Sequence, residues 1–373
     1  MSNPEDYTVG WISAVATEYV AAQHLLDERH PPAPRMSSRN KNHYTLGKMG
    51  MHNVVIATLP LGRYGIASAA LVAEEMMNSF PNIRILLMVG IGGGVPTRHD
   101  IRLGDIVVSA PGNGSAGVFQ YDYGKTIQDQ EFLTTGSLTP PQPALLATLA
   151  GVAARHVGQG HTYEQTINTV LDNNPRLRSN YGRPDLASDR LYQSHVVHPA
   201  DDDLPCDPNC GDELLISRRP RTQLEDSPAI HYGLIASANQ LMKDAVARDK
   251  LAKQKDVLCF EMEAAGLMDN FPCLVIRGIC DYADSHKNKV WQGYAAMTAA
   301  AYAKDLLGEI EPWQVEQEAR IVNYYHEGSN VYNEGSNFYN EGSNAGGTRI
   351  EFGGANNGFQ VGMNHGQIHH RQG

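Results

Sequence analysis

The chain has 373 residues, 42% of them hydrophobic and 19% charged, which supplies a large core and excludes whole-chain disorder. Its 41 acidic against 30 basic side chains leave a formal charge of −11, and without any run of Lys or Arg this argues against nucleic acid as a partner. Five scattered cysteines, Cys206, Cys210, Cys259, Cys273 and Cys280, form no disulfide framework, and the start MSNPEDYTVG lacks a leader's basic and apolar segments, so a soluble, cytoplasmic protein that does not enter a membrane is expected.

Short apolar runs alternate with amphipathic stretches over the first hundred residues. Tyr7 to Ala16, Val54 to Leu61 and Ile83 to Gly90 are predicted strands, covered on both faces. Thr17 to Asp27 and the alanine-rich Ile66 to Met77 are predicted helices between them. A strand at Asp105 to Ser109 and a helix at Pro143 to Val152 follow. The alternation predicts an α/β fold with a mostly parallel central sheet flanked by helices.

From about 158 to 230 proline, aspartate, arginine and histidine crowd in and apolar periodicity weakens, as in an insertion rather than a separate domain. The rhythm resumes with a strand at His231 to Ser237, a helix near Gln240 to Lys250, and a strand at Val257 to Phe260. A helix near Glu263 to Asp269, a strand at Cys273 to Ile279 and a helix at Val290 to Leu307 complete it. One domain is therefore expected over 1–312. Beyond a short helix at Val315 to Tyr325, HEGSNVY, NEGSNFY and NEGSNAG repeat with a period of seven but without a coiled coil's apolar pair, so 313–347 is expected to be a linker, and 348–373 a separate motif in a disordered tail.

Three places carry chemistry. Gly90-Ile91-Gly92-Gly93-Gly94 directly follows a buried strand, where bare backbone amides can form an anion nest or simply a tight turn. Phe260-Glu261-Met262-Glu263 puts a carboxylate at a helix start. Arg277-Gly278-Ile279-Cys280-Asp281 puts another just past a strand end. In the insertion His195, His198, Cys206 and Cys210 are spaced H-x2-H-x7-C-x3-C. Two imidazoles and two thiolates suit zinc, but the spacing is not a standard finger's, and no metal is assigned.

In order, the glycine-rich strand end, Leu103-Gly104-Asp105-Ile106-Val107-Val108-Ser109, FEMEAAG and IRGICDYAD resemble the nucleoside phosphorylase and nucleosidase superfamily over roughly residues 7 to 307. The wording of the motifs and the insertion look most like the phosphorylase-type domains of fungal immune-receptor-like proteins. The resemblance implies no cofactor and a site that splits a purine N-ribosyl bond. Asp281 would protonate or hydrogen-bond purine N7, from a dry pocket or with a shared proton, and Glu263, with Met262 packed under the sugar, would grip the ribose hydroxyls. Glu18 would orient water. The family's phosphorylases hold phosphate with the glycine loop, here Gly92 and Gly93, and an arginine at the end of the strand before it. Leu87-Met88-Val89-Gly90 has none, which favours water as acceptor.

Around the base the family likeness points to Ser237 and Asn239. Leu241 stands where related nucleosidases carry a stacking aromatic, so stacking falls to Phe260 or to Phe119-Gln120-Tyr121-Asp122-Tyr123. Arg63, in a loop on the sugar side in relatives, suits a 5′-phosphorylated purine such as ATP. Near the end Phe359-Gln360-Val361-Gly362 resembles the amyloid-signalling motifs of fungal receptor and effector pairs. The implied partners are a purine nucleoside or nucleotide, further copies of the chain in a homo-oligomer, and an NLR-type receptor reached through that motif, in immune cell death. A phosphate-dependent phosphorylase and a non-catalytic nucleotide-binding adaptor are the alternatives.

Overall fold

In a computed structural model the residues described are 2–33, 40–199, 206, 210–222, 224–287 and 289–324. The chain divides into a unit of residues 1–329 and a second of 330–373. The latter, with most of the expected linker and all of the 348–373 motif, lies outside the described residues.

Twelve strands and nine helices are used here, in chain order: β1 Val9–Ser13, α1 Ala16–His24, β2 Glu28–Arg29, β3 Tyr44–Met49, β4 His52–Thr58, α2 Ile66–Ser79, β5 Ile85–Gly94, β6 Ile106–Ser109, β7 Val118–Gln120, β8 Gly124–Lys125, β9 Leu133–Thr134, α3 Pro143–Gln159, α4 Tyr163–Asn173, α5 Arg178–Tyr181, β10 Ile230–Ser237, α6 Ala245–Lys255, β11 Val257–Glu261, α7 Ala264–Met268, β12 Leu274–Asp281, α8 Gln292–Glu309 and α9 Pro312–Gln317. The main sheet runs β11-β10-β6-β12-β5-β1-β4-β3-β2. Pairing is parallel from β4 through β1 and β5 to β12 and from β6 through β10 to β11, and antiparallel where β12 meets β6 and β4 meets β3. This is the expected α/β architecture with a mostly parallel sheet.

β5 holds the centre. Every residue of it but Ile91 is buried, and it extends through Gly94, so the glycines expected to form a loop or nest are the last part of a strand. Gly93 and Gly94 pair antiparallel with Phe260 and Cys259 of β11, which closes five strands on themselves. Bare backbone is needed on both sides of this strand end: a Cβ on Gly92 would lie 3.1 Å from the Phe260 carbonyl of β11, and one on Gly93 2.8 Å from Asp281 Oδ1 of β12.

Helix α8 covers β12 and β5 with an alanine-rich face, Ala295, Ala296, Ala299, Ala300 and Ala303 all being buried. Small side chains let the helix backbone approach so closely that a Cβ on Gly278 would overlap the Ala295 carbonyl. The region 158–230 is better packed than its sequence implies. It contains α4, whose Tyr163, Ile167 and Leu171 are buried, and its Arg221 and the β10 residue His231 converge on the fully buried Asp105. Burial raises the Asp105 pKa, but those two partners more than offset it and the net shift is downward. The expected helix at Val315 to Tyr325 is broken in two, with α9 at Pro312–Gln317 and residues 321–324 helical again after a break at 318–320; Ile321 is buried and its amide bonds Ile83 O at 2.8 Å. Among the described residues no helix is long and apolar enough to cross a membrane.

Candidate active site

Glu18 lies in the first turn of α1, directly after β1. Its Oε2 accepts from the amides of Ala14 at 2.6 Å and Val15 at 3.1 Å, and Oε1 from the Ile91 amide at 2.8 Å. It is therefore both a helix-terminal acid and the link between α1 and the end of β5. The glycine at position 90 makes the approach possible, since a Cβ there would overlap Glu18 Oε1 and Arg277 Nη1.

Arg277 is the residue that the sequence analysis missed as a site residue. The strand segment Leu87 to Gly90 itself carries no arginine, but a guanidinium reaches Gly90 from the neighbouring strand: Arg277 of β12 pairs in register with Gly90. It is fully buried and bonded to Glu261, with Glu263 at 3.8 Å and Glu18 at 4.0 Å. The available signal was a charged residue inside the apolar run Cys273-Leu274-Val275-Ile276-Arg277-Gly278-Ile279, since a fully buried arginine requires partners.

Glu261, the last residue of β11, also accepts from the amides of Glu263 at 3.0 Å and Ala264 at 2.9 Å, fixing the turn into α7. Glu263 is the residue before α7, and its Oε1 accepts from the Gly65 amide at 3.2 Å. Three carboxylates thus surround one guanidinium. Burial raises the Glu18 pKa, against the opposing pull of Arg277 and its three amides. Burial and then the charge of Glu261 push Glu263 up to about 7, in spite of Arg277.

Asp281 ends β12 opposite Gly93, three residues along β5 from Gly90. It stands about 10 Å along the strand from the Glu18 position, at roughly 3.3 Å per residue. In place of the expected dry pocket the residue is partly exposed, and its Oδ1 accepts from Lys287 Nζ at 2.6 Å and from the Ala283 amide at 2.8 Å.

The other expected residues frame this cluster unevenly. Gly92 and Gly93 face Arg277 and Asp281 from within β5. Met262 is half-buried between Glu261 and Glu263, and Arg63 is exposed on the 60–65 loop that Gly65 ties to Glu263. Gly65, at φ +94°, leaves room for Asn239, whose Oδ1 accepts from Ile66 N at 3.1 Å. Ser237 is fully buried and its hydroxyl takes the Ala265 amide at 3.0 Å, so it braces the start of α7. Phe260 is buried and meets Tyr121 edge to face at 5.5 Å. Tyr121 in turn bonds Gln240 O at 2.9 Å, and Asp122 accepts from Asn239 N at 3.0 Å. Tyr121 and Asp122 thus lie against the segment from Ser237 to Gln240. His195 is exposed, apart from His198, Cys206 and Cys210, which cluster. A cleft of about 1390 Å³, lined by Phe119, Gln120, Tyr232, Ala265 and Asp269, contains none of the three carboxylates.

Residues 8–310 match the model of the phosphorylase superfamily. The chain belongs to that family. It is 43% identical over 323 residues to a nucleotide-binding leucine-rich repeat (NLR)-like protein of the fungus Hyaloscypha variabilis, an alignment covering 86% of this chain and 31% of that protein. It is 21% identical over 303 residues to the ATP nucleosidase Cap17 of Escherichia coli, covering 79% of this chain and 50% of that one. The chain thus spans a third to a half of these relatives' lengths. Among solved structures, a Helicobacter pylori 5′-methylthioadenosine/S-adenosylhomocysteine nucleosidase superposes with a TM-score of 0.52 at 15% identity, over 82% of this chain and 99% of that one. The futalosine hydrolase of the same organism gives 0.51 at 16%, over 82% and 99%. At these identities the likeness establishes the fold that a phosphorylase-superfamily chain should have, and nothing finer.

Proposed function

We propose that this phosphorylase-superfamily chain hydrolyses the N-glycosidic bond of purine nucleosides or nucleotides, with adenine nucleotides such as ATP as the preferred class. The observation that carries the reading is the buried cluster at Gly90, in which Glu18 and Glu263 share Arg277, with Asp281 farther along the same strand.

Cleavage leaves positive charge on the sugar and negative charge on the departing base. Asp281 meets the base: it hydrogen-bonds or protonates purine N7, and Lys287, now on its Oδ1, releases the carboxyl as the base docks. Glu263 meets the ribose hydroxyls. With its pKa near 7 it exists in both protonation states at neutral pH, and its ionised form stabilises the adjacent cation. Glu18 meets water. A carboxylate offers about four lone-pair sites, and backbone amides occupy three of them.

Water rather than phosphate is supported by charge. Arg277 is opposed by three carboxylates, so the surroundings of Gly90 disfavour a dianion. The adenine-nucleotide preference is supported by exposed Arg63 on the loop joined to Glu263, and by the relative that is an ATP nucleosidase. The NLR-like relative supports an immune setting in which residues 348–373 assemble copies of the chain or recruit it to a receptor.

Asp281→Asn should lower free-base release from adenine nucleotides about 10²–10⁴-fold, the usual contribution of a positioned acid, while retaining nucleotide binding by calorimetry. Turnover equal to the parent chain's would remove Asp281 from the reaction.

A further inference from the structure

The 158–230 region carries a set of donors that glycosidic chemistry does not use. His198 Nδ1 lies 3.1 Å from Cys210 Sγ and 3.7 Å from Cys206 Sγ, and the three donor atoms are all within 4.8 Å of one another. The ligand atoms of a tetrahedral zinc ion, bound at about 2.0–2.1 Å by nitrogen and about 2.3 Å by sulfur, stand about 3.5–3.8 Å apart. The Cys210 amide bonds Cys206 O at 2.7 Å, which holds the two cysteines close, and neither is in a disulfide.

A second, independent observation lies beside them. His286 is 7% exposed, yet neither of its ring nitrogens has a hydrogen-bond partner among the described residues. Its ring stacks on Tyr192 at 4.1 Å and stands edge-on to His198 at 5.9 Å between centroids, with 71° between the planes. Its Nδ1 lies 3.7 Å from Asp284 Oδ2, beyond hydrogen-bond distance, and its nitrogens fall outside the 4.8 Å set formed by the other three donors. His286 would complete the set by turning its ring toward the thiols, with Asp284 then within reach of its other nitrogen.

We propose that His198, Cys206, Cys210 and His286 bind one zinc ion, with Asp284 orienting His286. Two thiolates balance the dication, their protons passing to solvent, and no oxidant or reductant is involved. Thiolate and imidazole ligands select zinc over magnesium or calcium. The ion would join two stretches of chain: three ligands belong to the 158–230 region, while His286 follows Asp281 by five residues and precedes Lys287. The same stretches already meet through the His198 amide on Ser285 Oγ at 2.9 Å and Arg218 over the Tyr282 ring at 5.3 Å. The zinc site would therefore fix the segment that positions Asp281.

Elemental analysis of the purified full chain should find one zinc per chain, and the chelator-treated chain loaded with cobalt(II) should show tetrahedral d–d bands with thiolate charge transfer. Cys206→Ser should abolish the charge-transfer pattern of two thiolates, and His286→Gln should change the d–d envelope. Asp284→Asn should weaken zinc binding about 10–100-fold. His195→Ala, outside the cluster, should leave all of these unchanged. A parent chain without zinc that gives no cobalt–thiolate spectrum, or one in which Cys206 and Cys210 form a disulfide, overturns the proposal. An unchanged cobalt spectrum in His286→Gln overturns the four-residue assignment.

Discussion

Glu263 and Arg63 belong to one small region and ask different things of it. Burial and the charge of Glu261 push Glu263 up to about 7, well above an unfolded glutamate near 4.3. A raised carboxyl favours the folded state while it is protonated. That contribution is whole below about pH 4.3 and fades as pH rises through about 7. Glu263→Gln should therefore stabilise the chain at pH 8 relative to the parent, by on the order of 3–4 kcal/mol, and the difference should shrink by pH 5. Denaturant melts at the two pH values check this. A gain of the same size at both would deny that Glu263 titrates in that window. Arg63, exposed and tied into the site only through its loop, is proposed to act on the substrate's charge instead. Arg63→Ala should raise KM for ATP about tenfold, the scale of one charge-assisted contact, and leave adenosine unaffected. An equal loss for both substrates would place the guanidinium elsewhere.

At the scale of elements, the end of β5 is where site and fold coincide. Glu18, Arg277 and the backbone of Gly90 occupy the same few ångströms, so Gly90→Ala should destabilise the chain by at least about 1–3 kcal/mol, as overpacking does. It should also abolish activity. Urea unfolding measures the first, and a fully stable, active variant would mean that the cluster is looser than described. The same strand shows why part of the molecule was legible and part was not. Apolar runs announced β1, β5 and β12, that of β5 closed by a glycine, and the acids Glu18, Glu263 and Asp281 stood out by their positions at element ends. Gly90 to Gly94 looks like a turn in sequence because nothing local reveals that β11 and β12 press against both of its edges. Tyr44–Met49 passed unnoticed because it pairs only with its hairpin neighbour β4 and the two-residue β2. Arg277 was hidden by its apolar neighbours, and its three carboxylate partners come from two distant parts of the chain, Glu18 and the Glu261–Glu263 turn, a relation that spacing cannot express. The packing of the described residues of 158–230 was equally unreadable, because some of its charged residues are satisfied by distant ones, as Arg221 is by Asp105.

For the molecule as a whole, the phosphorylase-superfamily unit and the segment beyond it raise separate questions. The family, the fold and the relation to an NLR-like protein stand on residues 8–310 and on the alignment to that relative. Assembly through Phe359-Gln360-Val361-Gly362 stands on sequence alone. If the tail gathers copies and clustering promotes turnover, a chain ending near residue 325 should release less base at equal concentration than the full chain, and should not pellet on ultracentrifugation. Equal rates would restrict the tail to localisation.

The central claim is that a purine leaves its sugar as water arrives. Its most direct test is to incubate the full chain with ATP in phosphate-free buffer, separate the products by chromatography, and run Asp281→Asn beside it. The account predicts free adenine and ribose 5-triphosphate from the parent chain and almost none from the variant. Base released only when phosphate is added, with ribose 1-phosphate sugars as co-products, or no base from any purine nucleoside or nucleotide offered, would contradict it.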